Sequence, residues 1–175
     1  MESTTILSLA QLFMSFGTTL LVLYLTYSMC TFFARKWLKI EQAVHAHRSA
    51  SMLSAAVLFS VGILSVRVME PVSEIIRILS KAEEDMLMLA LKTLGYNLGF
   101  LGMAFVVAML VIIASFVLFS LMTQSVSERE EIKNDNWFLS LILAVMIIVM
   151  TLVVKDEVVL LMESLVPYPE LPRLF

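Results

Sequence analysis

The sequence predicts an all-α integral membrane protein with four transmembrane helices, arranged as two parallel two-helix repeats with an amphipathic interfacial helix between them. Three observations lead to this prediction: an apolar composition, four long charge-free stretches, and a similarity between the two halves of the chain. Of the 175 residues, 60% are hydrophobic and only 15% are charged, whereas about a quarter of an average soluble domain is charged. Too few polar side chains remain to cover a globule, so lipid is the expected solvent.

The charge-free stretches locate the membrane spans. Four segments without Asp, Glu, Lys or Arg are 32, 18, 35 and 19 residues long, and they begin at Ser3, Ser49, Thr93 and Asn136. A helix that crosses a bilayer needs roughly 17 to 25 apolar residues. We therefore expect a single membrane domain over residues 1–175. Its predicted spans are Ile6–Phe33, Ser51–Val66, Tyr96–Met122 and Trp137–Val154.

The two halves of the chain resemble each other. A shift of 89 residues aligns the first span with the third, and a shift of 88 aligns the second with the fourth. The matched pairs include Met14 with Met103, Leu21 with Leu110, Val57 with Val145, and Arg67 with Lys155. Chance similarity between apolar helices is the alternative. A duplication would give repeats at residues 6–66 and 96–154, both in the same orientation because each contains two spans.

A short motif before the fourth span resembles a known family. Residues 131–136 read EIKNDN and lead into an apolar helix that contains Ala144. This pattern is similar to the signature of the bacterial membrane proteins called domain of unknown function 350, in which E-I-x-x-x-N precedes small residues in a helix. The degenerate first copy would comprise Lys39, Ile40 and Glu41, then Ala50, Ala55, Ala56 and Gly62, with Arg48 in the place of Asn136. The resemblance implies four spans in two repeats, and it implies architecture rather than activity.

Residues at the span ends are expected to lie among lipid headgroups, where cations meet phosphates and aromatic rings sit at the interface. These residues are Arg35, Lys36, Trp37, Lys39, Arg67 and Lys155. The connector from Arg35 to Arg48 carries four Lys and Arg residues, whereas the chain before Ile6 carries none. The positive-inside rule then places the N-terminus outside the cell. The expected location is the bacterial inner membrane.

Two further segments are amphipathic or irregular. In residues 70–92, Pro71 can open a helix, and Val72, Ile75, Ile76 and Leu79 recur at helical spacing. This segment is predicted to lie in the membrane interface, with packing on a partner protein as the alternative. Residues 158–175 are predicted to form a partly apolar, proline-rich C-terminal arm.

The sequence contains no recognisable catalytic constellation, so no enzymatic activity, cofactor or metal is expected. His45 and His47 are two residues apart, whereas a metal-binding pair on one helix face needs a spacing of three or four. Solvated interfacial histidines are therefore the simpler interpretation. The net charge of −3 argues against nucleic acid as a partner.

Polar residues within the first span suggest a contact surface. Ser15, Thr19, Thr26 and Cys30 are spaced by four, seven and four residues and share one stripe, which predicts a helix-packing seam. The expected function is that of a non-enzymatic structural or accessory subunit, with the lipid bilayer, further copies of the chain or other membrane subunits as partners. A small oligomeric channel or transporter with a hydroxyl-lined path is the alternative. A membrane enzyme acting on lipid would need His45, His47 or the connector acids.

Overall fold

The computed structural model describes residues 2–36, 47–82, 86–123 and 128–166, and every regular element within these ranges is a helix. Four helices are long and apolar enough to cross a membrane, which confirms the predicted all-α class and multi-pass character. The elements are α1 (Glu2–Lys36), α2 (Arg48–Ala82), α3 (Met86–Met122), the short α4 (Glu128–Lys133) and α5 (Trp137–Glu163).

Helices α2 and α5 lie at the centre, side by side and in the same direction. Polar contacts join them at three successive levels. The backbone N–H of Ser49 donates to Asp135 just before α5 (2.8 Å), the hydroxyls of Ser60 and Thr151 are 2.7 Å apart, and Arg67 lies 3.7 Å from Asp156. Because each level advances along both helices together, the pair is parallel and in register.

Helices α1 and α3 run in the opposite direction to this central pair. The N-terminal half of α2 packs with Phe119 near the end of α3, whereas its later residues pack with Phe100 near the start of α3. Helix α3 contacts both α2 and α5, but α1 packs mainly on α2. A parallel α2–α5 pair is what the proposed duplication requires, although the duplication itself stays a prediction.

Two polar layers bound the apolar part of the central pair. On α2, Arg48 and Arg67 are 19 residues apart. On α5, Lys155 lies 19 residues after Asn136, which caps the start of the helix. At about 1.5 Å per residue, each interval is about 28 Å, close to the roughly 30 Å hydrocarbon core of a bilayer. The charge-free stretches of α2 and α5 therefore match the same thickness of hydrocarbon.

The structure differs from the predicted interfacial helix at residues 70–92. Helix α2 continues through Pro71 to Ala82 instead of ending at Val66. The apolar face of this extension, including Val72 and Ile75, is buried in a cluster with residues of α3 and α5 rather than spread along a membrane surface. Proline removes a single backbone hydrogen bond, and packing of neighbouring helices compensates for it.

The predicted C-terminal arm also begins differently. Residues 158–163 belong to α5, where Val158 and Met162 are buried. A local helical pattern of apolar residues continues past Lys155, so the helix does not stop at the last charge-free position. Residues 167–175 of the arm lie outside the described part of the chain, as do Trp37, Lys39 and His45 of the first connector.

Candidate functional site

The EIKNDN motif builds a closed turn between α4 and α5. The side chain of Asn136 accepts a hydrogen bond from the backbone N–H of Leu139 (3.5 Å) and so caps α5. Its amide also donates to the Glu131 carboxylate at 2.7 Å, while Ile132 is 1% exposed in the core. Capping satisfies a backbone group that a helix start leaves unpaired. The spacing of Glu131, Ile132 and Asn136 thus has a direct structural role.

Asp135 joins this turn to α2. Its backbone has φ of 60°, the left-handed region that Asp tolerates better than most residues. This conformation directs the carboxylate at the start of α2, where Oδ1 accepts the backbone N–H of Ser49 at 2.8 Å. A carboxylate is favourable at a helix N-terminus because it faces unpaired N–H groups and the positive end of the helix dipole.

His47 completes this polar junction between the α4–α5 turn and the start of α2, and it is only 8% exposed. Its Nε2 lies 3.2 Å from the carbonyl oxygen of Lys133, and its Nδ1 lies 3.2 Å from Oδ1 of Asp135. Both ring nitrogens can donate at once only in the imidazolium. In the neutral ring, Nε2 donates to the carbonyl, and Nδ1 can accept the backbone N–H of Ala50 at 3.4 Å. The interpretation of His47 as a solvated interfacial residue is therefore wrong.

The electrostatics of the junction favour the ionised form of Asp135. The hydrogen bond from the Ser49 backbone is the main cause that lowers the pKa of the Asp135 carboxyl below its ordinary value of 3.8, with smaller contributions from His47 and Arg48 and against the opposing effect of burial. A carboxyl whose pKa is lower in the folded state than in the unfolded state stabilises the fold above the unfolded pKa. That contribution disappears as the pH falls through the folded-state pKa.

We therefore expect acid to weaken the junction. The free energy of unfolding should be steady above about pH 4 with respect to this group and should fall as the pH is lowered further. Asp135→Asn keeps an acceptor but cannot titrate, so its unfolding should depend less on pH below 4. Chemical unfolding in detergent micelles across pH 3 to 6 tests this expectation. Identical acid dependence in both proteins would contradict it.

Buried hydroxyls occur at two levels of the α2–α5 pair. The hydroxyls of Ser49 and Ser140 are fully buried without a hydrogen-bond partner, and the pair formed by Ser60 and Thr151 lies three turns deeper. Hydroxyls between two helices allow close approach, and pairing lowers their cost in an apolar interior. Among the described residues no three His, Cys, Asp or Glu side chains are grouped as metal ligands would be. The hydrogen bond between Ser60 and Thr151 joins α2 to α5.

The structure places the predicted hydroxyl stripe of α1 on the side that approaches α2. Thr26 is 2% exposed, and its hydroxyl donates to the carbonyl of Val22 at 2.7 Å. Cys30 is partly buried and lies near the side chain of Ser54 in α2. Ser15 and Thr19 are also partly buried. The role of this hydroxyl stripe as a helix-packing seam stays a prediction.

The predicted headgroup residues fall into two groups. Arg35 and Lys36 are exposed in the last turn of α1, where the ammonium of Lys36 lies 5.3 Å from the centre of the Phe32 ring. Arg67 and Lys155 meet at the opposite polar layer, because both contact the carboxylate of Asp156. The sequence did not predict this shared partner, and the headgroup location of Arg67 and Lys155 stays a prediction.

A glycine stripe on α3 was missed by sequence reasoning. Gly95, Gly99 and Gly102 are exposed, and a Cβ added at any of them would meet nothing within 4 Å. The spacing from Gly95 to Gly99 is the G-x-x-x-G pattern typical of membrane helices that pack closely. That motif was the available signal. His47 and Asp135 had no such signal, because they meet although they are 88 residues apart in the sequence.

A comparison with known families gives a match over most of the chain. The family model described as Domain of Unknown Function (DUF350) matches residues 4–158, which include the EIKNDN turn and the four long helices apart from the first residues of α1 and the last turn of α5. Comparison with curated proteins and with solved structures gave no match. The match confirms the resemblance drawn from the motif.

Proposed function

We propose that this chain, which belongs to the DUF350 family of multi-pass membrane proteins, acts as a non-enzymatic structural or accessory subunit of a membrane assembly. The family match and the four apolar helices support its membrane character. The bacterial inner membrane, with the N-terminus outside, is the location we propose. The partners we propose are further copies of the chain or other membrane subunits.

The glycine stripe of α3 is the observation that carries this proposal. A glycine inside a helix costs about 1 kcal/mol relative to alanine. At Gly95, Gly99 and Gly102, an added Cβ would meet nothing within 4 Å in the described part of the chain. In lipid, small residues allow two helix backbones to approach closely, which strengthens van der Waals contact and interhelical hydrogen bonds. A second helix lying on this stripe would explain why three glycines occur there.

The hydroxyl-lined channel has less support. Within the described residues, the hydroxyl of Thr26 is engaged by the carbonyl of its own helix, and those of Ser60 and Thr151 are engaged by each other. Hydroxyls that line a conducting path must instead be available to water or ions. The central helix pair is closed at the level of Ser60 and Thr151.

A single bulky substitution in the stripe tests the proposal. Gly99→Leu should weaken association by at least about tenfold, because the side chain separates the two helices, while the isolated chain has open space for it. The mass of the protein in mild detergent, measured over a range of concentrations, reports the effect. Gly17→Leu is the matched control, since Gly17 is an equally open glycine on α1. An unchanged mass for Gly99→Leu would contradict the proposal.

A further inference from the structure

An apolar groove opens on one flank of the central helix pair. It has a volume of about 1080 Å³ and is bounded by Leu23 and Tyr27 of α1, the stretch of α2 from Ala55 to Arg67, and Leu152 and Lys155 of α5. On the other flank, α3 packs against both α2 and α5, whereas α1 packs mainly on α2. The groove is the space that this asymmetry leaves between α1 and α5.

The length of the groove is close to the thickness of one leaflet of a bilayer. From Ala55 to Arg67 the helix advances about 18 Å, compared with roughly 15 Å for half of a hydrocarbon core. The groove is apolar along this length and reaches its two cations, Arg67 and Lys155, at the polar layer. A phospholipid has its groups in the same order, because its apolar acyl chain leads to a polar headgroup.

The charges at the mouth of the groove define the headgroup. Arg67 contacts Glu70 at 3.1 Å and Asp156 at 3.7 Å, and Lys155 contacts Asp156 at 2.6 Å. The two cations line the groove, while the two carboxylates lie outside it and are well exposed. A guanidinium has five N–H donors and an ammonium has three, so both retain donors for a further anion. Two positive groups beside two negative groups complement a zwitterion better than a net anion.

We propose that this groove binds a phospholipid whose headgroup carries a phosphate and a primary ammonium. One acyl chain occupies the groove over Gly62, the phosphate accepts hydrogen bonds from Arg67 and Lys155, and the ammonium donates to Asp156 and Glu70. A primary ammonium fits because it can donate N–H bonds to carboxylates, whereas a trimethylated ammonium cannot. The inference is independent of the assembly role proposed above.

Lipid retention measured by native mass spectrometry tests the proposal. The full chain is released from nanodiscs that contain equal amounts of phosphatidylethanolamine, phosphatidylglycerol and phosphatidylcholine. We expect one phosphatidylethanolamine per chain to be retained preferentially. Equal retention of the three lipids, preference for phosphatidylglycerol, or no retained lipid would each overturn the proposal.

Variants distinguish the contribution of the lipid headgroup from that of the acyl chain. The double change Arg67→Gln with Lys155→Gln should lower retention about tenfold, as expected for lost charge-assisted hydrogen bonds, whereas Arg77→Gln, an exposed cation elsewhere on α2, should not. Asp156→Asn should remove the preference over phosphatidylglycerol. Ala55→Leu should lower retention of all three lipids by partly filling the groove. Unchanged lipid retention in the double variant would overturn the proposal. So would a loss of a bound second copy of the protein in the Ala55→Leu variant, because that copy, and not a lipid, would then occupy the groove.

Discussion

Replacing Ala56 with leucine is expected to lower the free energy of unfolding by about 1–3 kcal/mol. Ala56 is 3% exposed and lies in the cluster that includes Leu53 of α2 and Leu143 and Ile147 of α5. The three additional carbon atoms of leucine must push α2 and α5 apart. The hydrogen bond between the hydroxyls of Ser60 and Thr151, one turn further along α2, also holds these helices together. Unfolding by a graded denaturing detergent measures the loss.

The adjacent alanine provides a matched control. Ala55 is exposed and borders the open groove, so Ala55→Leu adds the same atoms to the same helix without compressing the α2–α5 contact. Its free energy of unfolding should stay within about 0.5 kcal/mol of the parent. Equal losses at the two positions would mean that helix α2 does not pack on α5 as described.

The second large effect is expected at Asp135, where backbone and side chain act together. Asp135→Val should lower the free energy of unfolding by about 2–3 kcal/mol. Of this, about 1–2 kcal/mol reflects a β-branched residue in the left-handed conformation, and about 1 kcal/mol reflects the lost hydrogen bond to Ser49. Partial exposure of the carboxylate keeps the second contribution small.

Two further substitutions separate these contributions. Asp135→Gly accepts a φ of 60° without strain, so it should lose only the carboxylate contacts. Asp135→Asn retains both an acceptor and tolerance of this conformation, so it should be the mildest of the three. Asn134→Val is the control, because Asn134 is exposed and has no positive φ. If valine and glycine at position 135 were equally destabilising, the left-handed turn would be excluded.

The sequence predicted the number of spans well because charge reports directly on the hydrocarbon. Removing a charged side chain from water is costly, so the charge-free stretches follow the membrane slab closely. It predicted the helix ends less well. A helix is sustained by its backbone hydrogen bonds and by packing, and both continue beyond Arg67 in α2 and beyond Lys155 in α5. The edge of the lipid is therefore not the end of the helix.

The polar junction was less accessible to sequence reasoning for a different reason. The motif at residues 131–136 was recognised as a pattern, but its physical content is a positive φ and a set of contacts with another helix. His47 was judged by the residues beside it in the connector, whereas its partners, Asp135 and the carbonyl of Lys133, come from the other half of the chain. Pairings of this kind depend on tertiary register, which local spacing does not encode.

The equal spacing of the two polar layers has a consequence for hydrophobic mismatch. Single helices adapt to a thicker or thinner bilayer by tilting independently. Helices α2 and α5 cannot do so, because contacts near both layers fix their register. The pair therefore presents a shared apolar belt of about 28 Å, and a bilayer of another thickness must be met by tilting of the pair as a unit or by thinning or thickening of the surrounding lipid. Such a belt would sort the protein toward membranes of matching thickness.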